Sequence, residues 1–319
     1  MSGALWALGS GLGFGVFQSV NRRALVGMDV AASTFLQILV SAIVLAIVSA
    51  VSQDIALLVG APADALLAFG VVGIVHFFVG WMLLNLGQKL IGAARTGPLL
   101  ATTPLFGAVL AAVWLREIPG PVTLLGMSLT VGGVLVLSTE QAAADDPPAE
   151  SDVPAAPGHG TSVSVAARPR TRRRLGILAA LGTALCWAVS PIFIREGLEG
   201  LPSPLLGVTV SMASAAIVFA TVLAAGRRRL QDRIASGAAL GIKVLAGLLV
   251  GVATWMRWVA LDRTTVAIVL SINAISVPTV LVLAPLVVGR QHERVTVRVW
   301  FGAGIVIAGS LVLILGGSG

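Results

Sequence analysis

Two polar side chains interrupt long apolar stretches of this sequence, and both are candidates for contact with a small solute. His76 lies near the middle of one stretch (LLAFGVVGIVHFFVGWMLLNL), and Arg257 lies about one turn from the end of another. A charged side chain at the centre of a bilayer costs roughly 2.5–3.5 kcal/mol on insertion scales, so such residues usually face a cavity or a partner helix. The histidine binds solute or relays a proton, or it is a neutral imidazole hydrogen-bonded to a neighbouring helix. Arg257 contacts an anion or carboxylate, or its side chain snorkels to the membrane surface.

Two prolines fall near the middle of apolar stretches, where each removes a helical hydrogen bond. Pro104 and Pro278 lie 174 residues apart. Interrupted helices at matching places in two related halves indicate a binding site at the membrane midplane, and the alternative is a kink that aids packing. The polar residues near these prolines are Thr96, Thr102, Thr103, Ser271, Asn273 and Ser276. Gln18, Asn21 and Gln37 are weaker candidates of the same kind.

Tryptophans supply the remaining candidate contacts. Trp81 and Trp255 are also 174 residues apart, and Trp258 follows one turn later. These indoles anchor their helices at the membrane interface, or they form an aromatic wall for an organic solute. With Trp187 included, the predicted solute-binding residues are His76, Trp81, Thr102, Thr103, Pro104, Trp187, Trp255, Arg257, Asn273, Ser276 and Pro278.

The sequence contains little that suggests catalysis or a cofactor. Cys186 is the only cysteine, so no intramolecular disulfide and no thiolate metal cage are expected. The acidic residues lie between the apolar stretches without metal-ligand spacing, and no Walker motif for nucleotide binding is present. We therefore predict no enzyme activity, cofactor or metal. A membrane-embedded enzyme and a non-transporting receptor are kept as alternatives.

Composition indicates that lipid is the solvent of this chain. It is 57% hydrophobic and 11% charged, with a mean hydropathy of +0.98. A soluble domain has roughly 25% charged residues. The net charge of +7 comes largely from short basic clusters between apolar stretches, as in topogenic signals, and does not indicate nucleic-acid binding.

A helix needs ~20 apolar residues to cross the bilayer, and ten stretches qualify. They are 3–20, 32–52, 65–86, 93–115, 119–138, 175–194, 203–225, 238–260, 265–288 and 296–316. Residues 139–174 are rich in Pro, Ala, Ser and Asp before five arginines, and this composition predicts a disordered linker. The chain is thus divided into a first five-helix repeat (3–138), the linker and a second five-helix repeat (175–316).

The two halves resemble each other at a nearly constant spacing. Because five spans is an odd number, the second half must enter the membrane from the opposite side, which predicts an inverted repeat. The matches are Leu8-Gly9 with Leu181-Gly182 at an offset of 173, Trp81-Met82 with Trp255-Met256 at 174, and Gly126 and Gly133 with Gly302 and Gly309 at 176. Gly9, Gly11, Gly13 and Gly15 form a small-residue stripe that predicts close helix packing.

The distribution of positive charge predicts the orientation in the membrane. On the side that holds both termini, the loops carry three basic residues, Arg116, Arg195 and Arg263, whereas seventeen lie on the other side. Positive residues near helix ends stay cytoplasmic. We therefore predict a multi-pass plasma-membrane protein with a cytoplasmic linker and both termini outside.

Three helices of each half share a pattern with a known family. They are the glycine-rich first helix, the proline-containing fourth helix (TGPLLATTPLFGAVLAAVWLRE and LSINAISVPTVLVLAPLVVGRQHE) and the glycine-rich closing helix. These helices resemble those of the EamA-type drug/metabolite transporters. The resemblance covers about 4–138 and 176–314. Where the family's fourth helix ends in Gly-Glu, this chain has Arg116-Glu117 and, in the second half, His292-Glu293. The resemblance implies a helical bundle around a central cavity, lined by helices one, three, four, six, eight and nine. Its members are commonly drawn with cytoplasmic termini, which the charge distribution here contradicts.

Together these features predict a secondary transporter for a small organic metabolite, such as an amino acid or a drug-like solute, that works by alternating access as an exporter. Proton coupling through His76 and the choice between monomer and homodimer stay open.

Overall fold

The computed structural model describes residues 3–25, 30–91, 96, 99–144, 169–225, 237–288 and 297–316. Within these ranges the chain is helical and contains no β-strand. The helices are α1 (Gly3–Leu25), α2 (Val30–Ser52), α3 (consecutive segments Ala63–Val72, Gly73–Gly80 and Trp81–Ile91), α4 (Thr103–Trp114), α5 (Pro121–Ala144), α6 (Pro169–Gly200), α7 (Pro204–Ala225), α8 (Gly237–Arg263), α9 (Val266–Ile272, Asn273–Ile275 and Ser276–Val288) and α10 (Val297–Gly316). A single turn, Ala56–Val59, lies between α2 and α3.

The all-helical membrane character predicted from composition is confirmed. Among the described residues, five helices are long and apolar enough to cross a bilayer, and four shorter apolar helices accompany them. The outward surfaces are apolar as well, because Val113 on α4, Ile217 on α7 and Phe301 on α10 are each at least 65% exposed. Side chains of this kind suit a lipid environment. That the chain has ten spans in all stays a prediction.

Helices α5 and α10 pack closely through glycines that occupy repeat-equivalent positions. A Cβ atom added to Gly133 would lie 2.8 Å from the carbonyl oxygen of Gly302, and one added to Gly309 would lie 2.8 Å from that of Gly126. The start of α5 therefore meets the later part of α10, and the two helices run antiparallel. Small residues allow this approach because they place no bulky side chain between the two backbones.

A second pair of interfaces repeats the same arrangement. Helix α1 packs against α8, and α6 packs against α3, so the first helix of each half lies on the third helix of the other half. Both pairs are antiparallel. Their close approaches are Gly3 to Thr264, Gly9 to Met256 and Gly13 to Ala253 in one pair, and Gly176 to Ile91, Gly182 to Leu83 and Gly197 to Phe69 in the other. The prediction that the glycine stripe of α1 serves close packing is confirmed.

The two helices that flank the predicted linker extend into it. Helix α5 continues to Ala144, and α6 begins at Pro169. The Ala-rich sequence after residue 140 has high helix propensity, and proline is well accommodated in a first helical turn. The remainder of the predicted linker, residues 145–168, lies outside the described residues.

Candidate functional site

The fourth helix of each half is interrupted, at equivalent positions. Before α4, residues 101 and 102 form a turn, and Pro104 lies in the first turn of the helix that follows. In α9, the α-helix gives way to a 3₁₀ segment at Asn273–Ile275, and Pro278 lies in the first turn of the next helix. The predicted interruptions are therefore confirmed. Each proline stands just after the break, where its missing N–H costs little.

Polar side chains cluster around these two breaks, as the sequence placed them. Asn273 accepts a hydrogen bond from the Ser10 hydroxyl at 3.0 Å, which joins α9 to α1. Thr102 donates to the carbonyl of Leu99 at 2.6 Å, and the buried Thr103 hydroxyl has no hydrogen-bond partner. Ser276 is half-buried, and both prolines are buried. The role of these residues in solute binding stays a prediction.

His76 lies within a π-helical segment, Gly73–Gly80, that the sequence did not reveal. Such segments are rare and are found disproportionately at functional sites. The imidazole is 4% exposed and its Nδ1 has no hydrogen-bond partner. Its ring stacks on Trp187 of α6, with centroids 5.6 Å apart and planes 22° apart, and meets Phe77 edge-on. His76 therefore packs against aromatic rings. Its Nδ1 makes no hydrogen bond, so this atom does not form the predicted alternative, a hydrogen bond to a neighbouring helix.

Trp187 packs directly against Gly80 of α3, which has no side chain to keep it away. A Cβ atom at Gly80 would lie 2.9 Å from the Nε1 of Trp187 and 3.1 Å from its Cδ1. Thr183, one turn earlier on α6, directs its hydroxyl to the Gly80 carbonyl at 3.3 Å. The Trp187 Nε1 is buried without a hydrogen-bond partner. Gly80 thus allows α6 to bring an indole against His76.

Arg257 lies inside the bundle, six residues before the end of α8, about 9 Å along the helix axis. Its side chain is 7% exposed, and its Nε and Nη2 are enclosed without hydrogen-bond partners. The next residue, Trp258, packs on Phe69, so this turn of α8 lies against α3, the helix that carries His76. The alternative that Arg257 snorkels to the membrane surface is therefore wrong, because a snorkelling side chain places its guanidinium in water.

Of the three tryptophans considered as interfacial anchors or as an aromatic wall, two are buried within the protein. Trp81 is 4% exposed between Phe17 and Phe77, and Trp258 is 1% exposed and packs on Phe69. An anchor at the headgroups would need an exposed ring, so anchoring is wrong for Trp81 and Trp258. Trp255 is half-buried and meets Trp6 edge-on, with centroids 5.6 Å apart. Contact of Trp81 or Trp255 with solute stays a prediction.

The structure thus brings three predicted residues, His76, Trp187 and Arg257, into one group contributed by α3, α6 and α8. A second group surrounds the breaks before α4 and within α9. Helix α6 packs against both α3 and α4, and α1 packs against both α8 and α9. These are the helices that the family resemblance assigns to the path.

Sequence reasoning named Glu117 and Arg195 separately but did not predict that they belong to one polar network. Glu117, which follows α4, accepts a hydrogen bond from Arg195 of α6 at 2.6 Å and another from the backbone N–H of Val266 at 2.9 Å. Arg195 also donates to the carbonyl of Thr264 at 2.8 Å. Arg116 adopts a φ of 56°, the left-handed conformation, where the chain turns toward Glu117. This network joins the end of α4 to α6 and to the α8–α9 turn, beside a cavity of about 280 Å³ lined in part by residues 117–122.

A buried lysine forms a further network that was missed. Lys243 of α8 is 1% exposed and donates to the side-chain oxygens of Asn21 on α1 and Gln37 on α2, the latter at 2.8 Å. Asn21 and Gln37 were weaker solute-binding candidates in the sequence. Because both amide oxygens accept hydrogen bonds from Lys243, this network joins α1, α2 and α8.

Within the described ranges, no group of three His, Cys, Asp or Glu side chains is placed to hold a metal ion.

Comparison with known proteins gives one family match. The sequence profile of the EamA-like transporter family matches residues 1–139 and 174–315. Among solved structures, 29 chains match, and one, described only as the crystal structure of a protein, aligns with a TM-score of 0.71 and 17% sequence identity over 99% of this chain and 97% of the other. At that identity the likeness concerns the fold alone. No curated protein matches the chain.

Proposed function

Because the chain belongs to the EamA-like transporter family, we propose that it is a secondary carrier that exports a small organic solute by alternating access. Members of this drug/metabolite superfamily are multi-pass membrane transporters of small solutes, not enzymes. The single observation that carries the proposal is the pair of interrupted helices, before Pro104 and before Pro278, at equivalent places in the two halves. Such pairs characterise carriers whose site lies where two repeats meet.

The arrangement of the halves supports an inverted repeat. The equivalent helices α5 and α10 run antiparallel, with Gly133 against Gly302 and Gly309 against Gly126. Because these equivalent helices are antiparallel, the two-fold axis that exchanges the halves is perpendicular to them and reverses the direction of each helix. If the helices cross a bilayer, the two halves then face opposite sides, as alternating access by symmetric exchange requires.

The solute site is proposed between α3, α6 and α8, at the group of His76, Trp187 and Arg257. This group combines aromatic surface with buried, unpartnered nitrogens. Unsatisfied polar groups within a membrane bundle are costly, and a bound solute would supply their partners.

The Glu117–Arg195 network is proposed to close the end of the bundle that bears both termini. It ties α4 of the first half to α6 and α9 of the second. Partly buried charges that join two moving bodies form a contact with two discrete states, made and broken. Opening toward this side would separate Glu117 from Arg195.

We propose the orientation indicated by charge, with the linker cytoplasmic and the termini outside. A reporter fused after residue 319 tests it. Alkaline phosphatase activity without cytoplasmic fluorescence is expected, and the reverse pattern would assign the termini to the cytoplasm.

Flux into proteoliposomes across a panel of metabolites tests the carrier function. At least one solute should enter faster than into protein-free liposomes, with saturation. If no solute moves under any gradient, the proposal is wrong. Where flux depends on a pH gradient, His76→Gln should remove that dependence if the imidazole relays the proton, and unchanged dependence would exclude His76 as the relay.

A further inference from the structure

Arg257 is an enclosed cation without a counter-ion among the described residues. Its Nε and Nη2 lack hydrogen-bond partners, and none of the described carboxylates pairs with it, since Glu117 binds Arg195 instead. A guanidinium carries only donors, so the missing partner must be an acceptor. A carboxylate satisfies two guanidinium N–H groups at once, which makes it the best matched partner in geometry and charge.

The predicted spans contain no negative charge that could neutralise this cation. All fourteen Asp and Glu residues fall outside the ten predicted spans. Lys243, also enclosed, lies 14 residues earlier on α8 (257 − 243), about 21 Å away along the axis, and is already bonded to Asn21 and Gln37. The interior near Arg257 therefore has a positive potential that attracts an anion from either side of the membrane.

Aromatic surface lies beside the unpartnered guanidinium. The residue after Arg257, Trp258, packs on Phe69 of α3 with ring centroids 5.3 Å apart, and about two turns further along α3 the ring of His76 stacks on Trp187. Trp187 is half-buried, so part of its ring is not covered by protein. Aromatic rings favour offset stacking or edge contact with a planar group, which contributes about 0.5–1.5 kcal/mol beyond burial.

We propose that the solute is a monovalent organic anion, a carboxylate that carries a planar apolar group and binds Arg257 with that group beside His76 and Trp187. The inference rests on the proposed transport function and names its substrate class. One guanidinium balances one negative charge, which disfavours a phosphate dianion. A zwitterionic amino acid would also require an anionic partner for its ammonium group, and the predicted spans contain none.

A series of four probes with one side chain and different charge tests this assignment. N-acetylphenylalanine is an anion, phenylalanine a zwitterion, phenylalaninamide a cation and N-acetylphenylalaninamide neutral. Binding is measured by thermal stabilisation of the purified full chain, and uptake by proteoliposomes. The anion should bind at least about 30-fold more tightly than the other three, because losing one partner of a buried charge pair has an effect of that size or greater. Equal or tighter binding of the zwitterion or the cation would overturn the assignment, as would binding of none of the four.

Variants of Arg257 distinguish solute binding from a structural role. Arg257→Gln should weaken binding of N-acetylphenylalanine by about 30-fold or more, and Arg257→Lys should retain part of it. Without ligand, Arg257→Met should unfold at the same temperature as the wild type or higher, because it removes an unpaired buried charge. Lys243→Met is the matched control and should unfold at a lower temperature, since Lys243 has two partners. A lower unfolding temperature for Arg257→Met, or unchanged binding by Arg257→Gln, would overturn the proposal.

The outcomes separate this inference from the carrier proposal. Flux of phenylalanine or phenylalaninamide that is unaffected by Arg257→Gln would overturn the anion assignment and leave the carrier in place. Arg257-dependent binding of N-acetylphenylalanine, together with no flux of any solute, would support the anion site and overturn the carrier.

Discussion

Substitution of glycine by alanine in the α5–α10 interface should destabilise the protein by an amount that the structure allows us to work out. A Cβ at Gly133 would lie 2.8 Å from the Gly302 oxygen, whereas ordinary contact begins at 3.4 Å, so the helices must separate by 0.6 Å (3.4 − 2.8). Overpacking of this kind costs about 1–3 kcal/mol. The higher helix propensity of alanine offsets about 0.5–1 kcal/mol. With the middle of each range, about 2 and about 0.75 kcal/mol, the net loss for Gly133→Ala is about 1.2 kcal/mol.

Thermal unfolding of the purified protein measures this effect, and the chain contains a matched control. A Cβ at Gly132, the preceding residue, meets nothing within 4 Å, so Gly132→Ala should leave stability unchanged or raise it slightly. Gly309→Ala, the repeat-equivalent change, should match Gly133→Ala. The double variant should lose less than the sum, because the first change has already separated the same two helices. Equal unfolding temperatures for Gly132→Ala and Gly133→Ala would refute the close packing of α5 and α10.

Three further outcomes follow from particular contacts. Glu117→Gln and Arg195→Gln should each lower the unfolding temperature, and a double-mutant cycle should give a coupling of about 1 kcal/mol; additive effects would indicate that the 2.6 Å contact contributes nothing. Lys243→Met should cost about 1–3 kcal/mol because it leaves two buried amide oxygens unpaired, and unchanged thermal stability would argue against the buried network. Gly80→Ala should displace Trp187 and weaken solute binding, whereas wild-type affinity would show that the indole does not contribute.

Most of the architecture could be predicted because it depends on composition and periodic spacing. Apolar stretches long enough for the bilayer must be helical, since lipid offers no partner to a free backbone group. The constant offsets between the halves, such as Gly126 with Gly302, located the glycines that now form the α5–α10 contact. The prolines predicted the interruptions because proline disturbs a helix wherever it occurs.

The site could be predicted only in part, because its geometry depends on which face of each helix turns inward. Sequence placed His76 and Arg257 within their spans but could not show that they approach each other, since they lie on separate helices of different halves. The π-helical segment around His76 has no composition of its own that would reveal it. Sequence could not decide between an interfacial and an inward position for Trp81 and Trp258, because an indole has the same sequence context at an interface and in a core. The partnership of Lys243 with Asn21 and Gln37 joins three helices through single contacts, which spacing does not encode.

Access to the break in α9 from both sides of the membrane is the most direct test of the central claim. Because Cys186 is the only cysteine, Cys186→Ser provides a background without thiols for Asn273→Cys. Val109→Cys, on the outward surface of α4, is the control and should react from neither side, because its position suits lipid contact. A membrane-impermeant thiol reagent should label Asn273→Cys in both right-side-out and inverted vesicles, and transported solute should slow the reaction. Labelling from one side alone, or labelling that solute does not change, would contradict a carrier whose site between the halves opens alternately to each side.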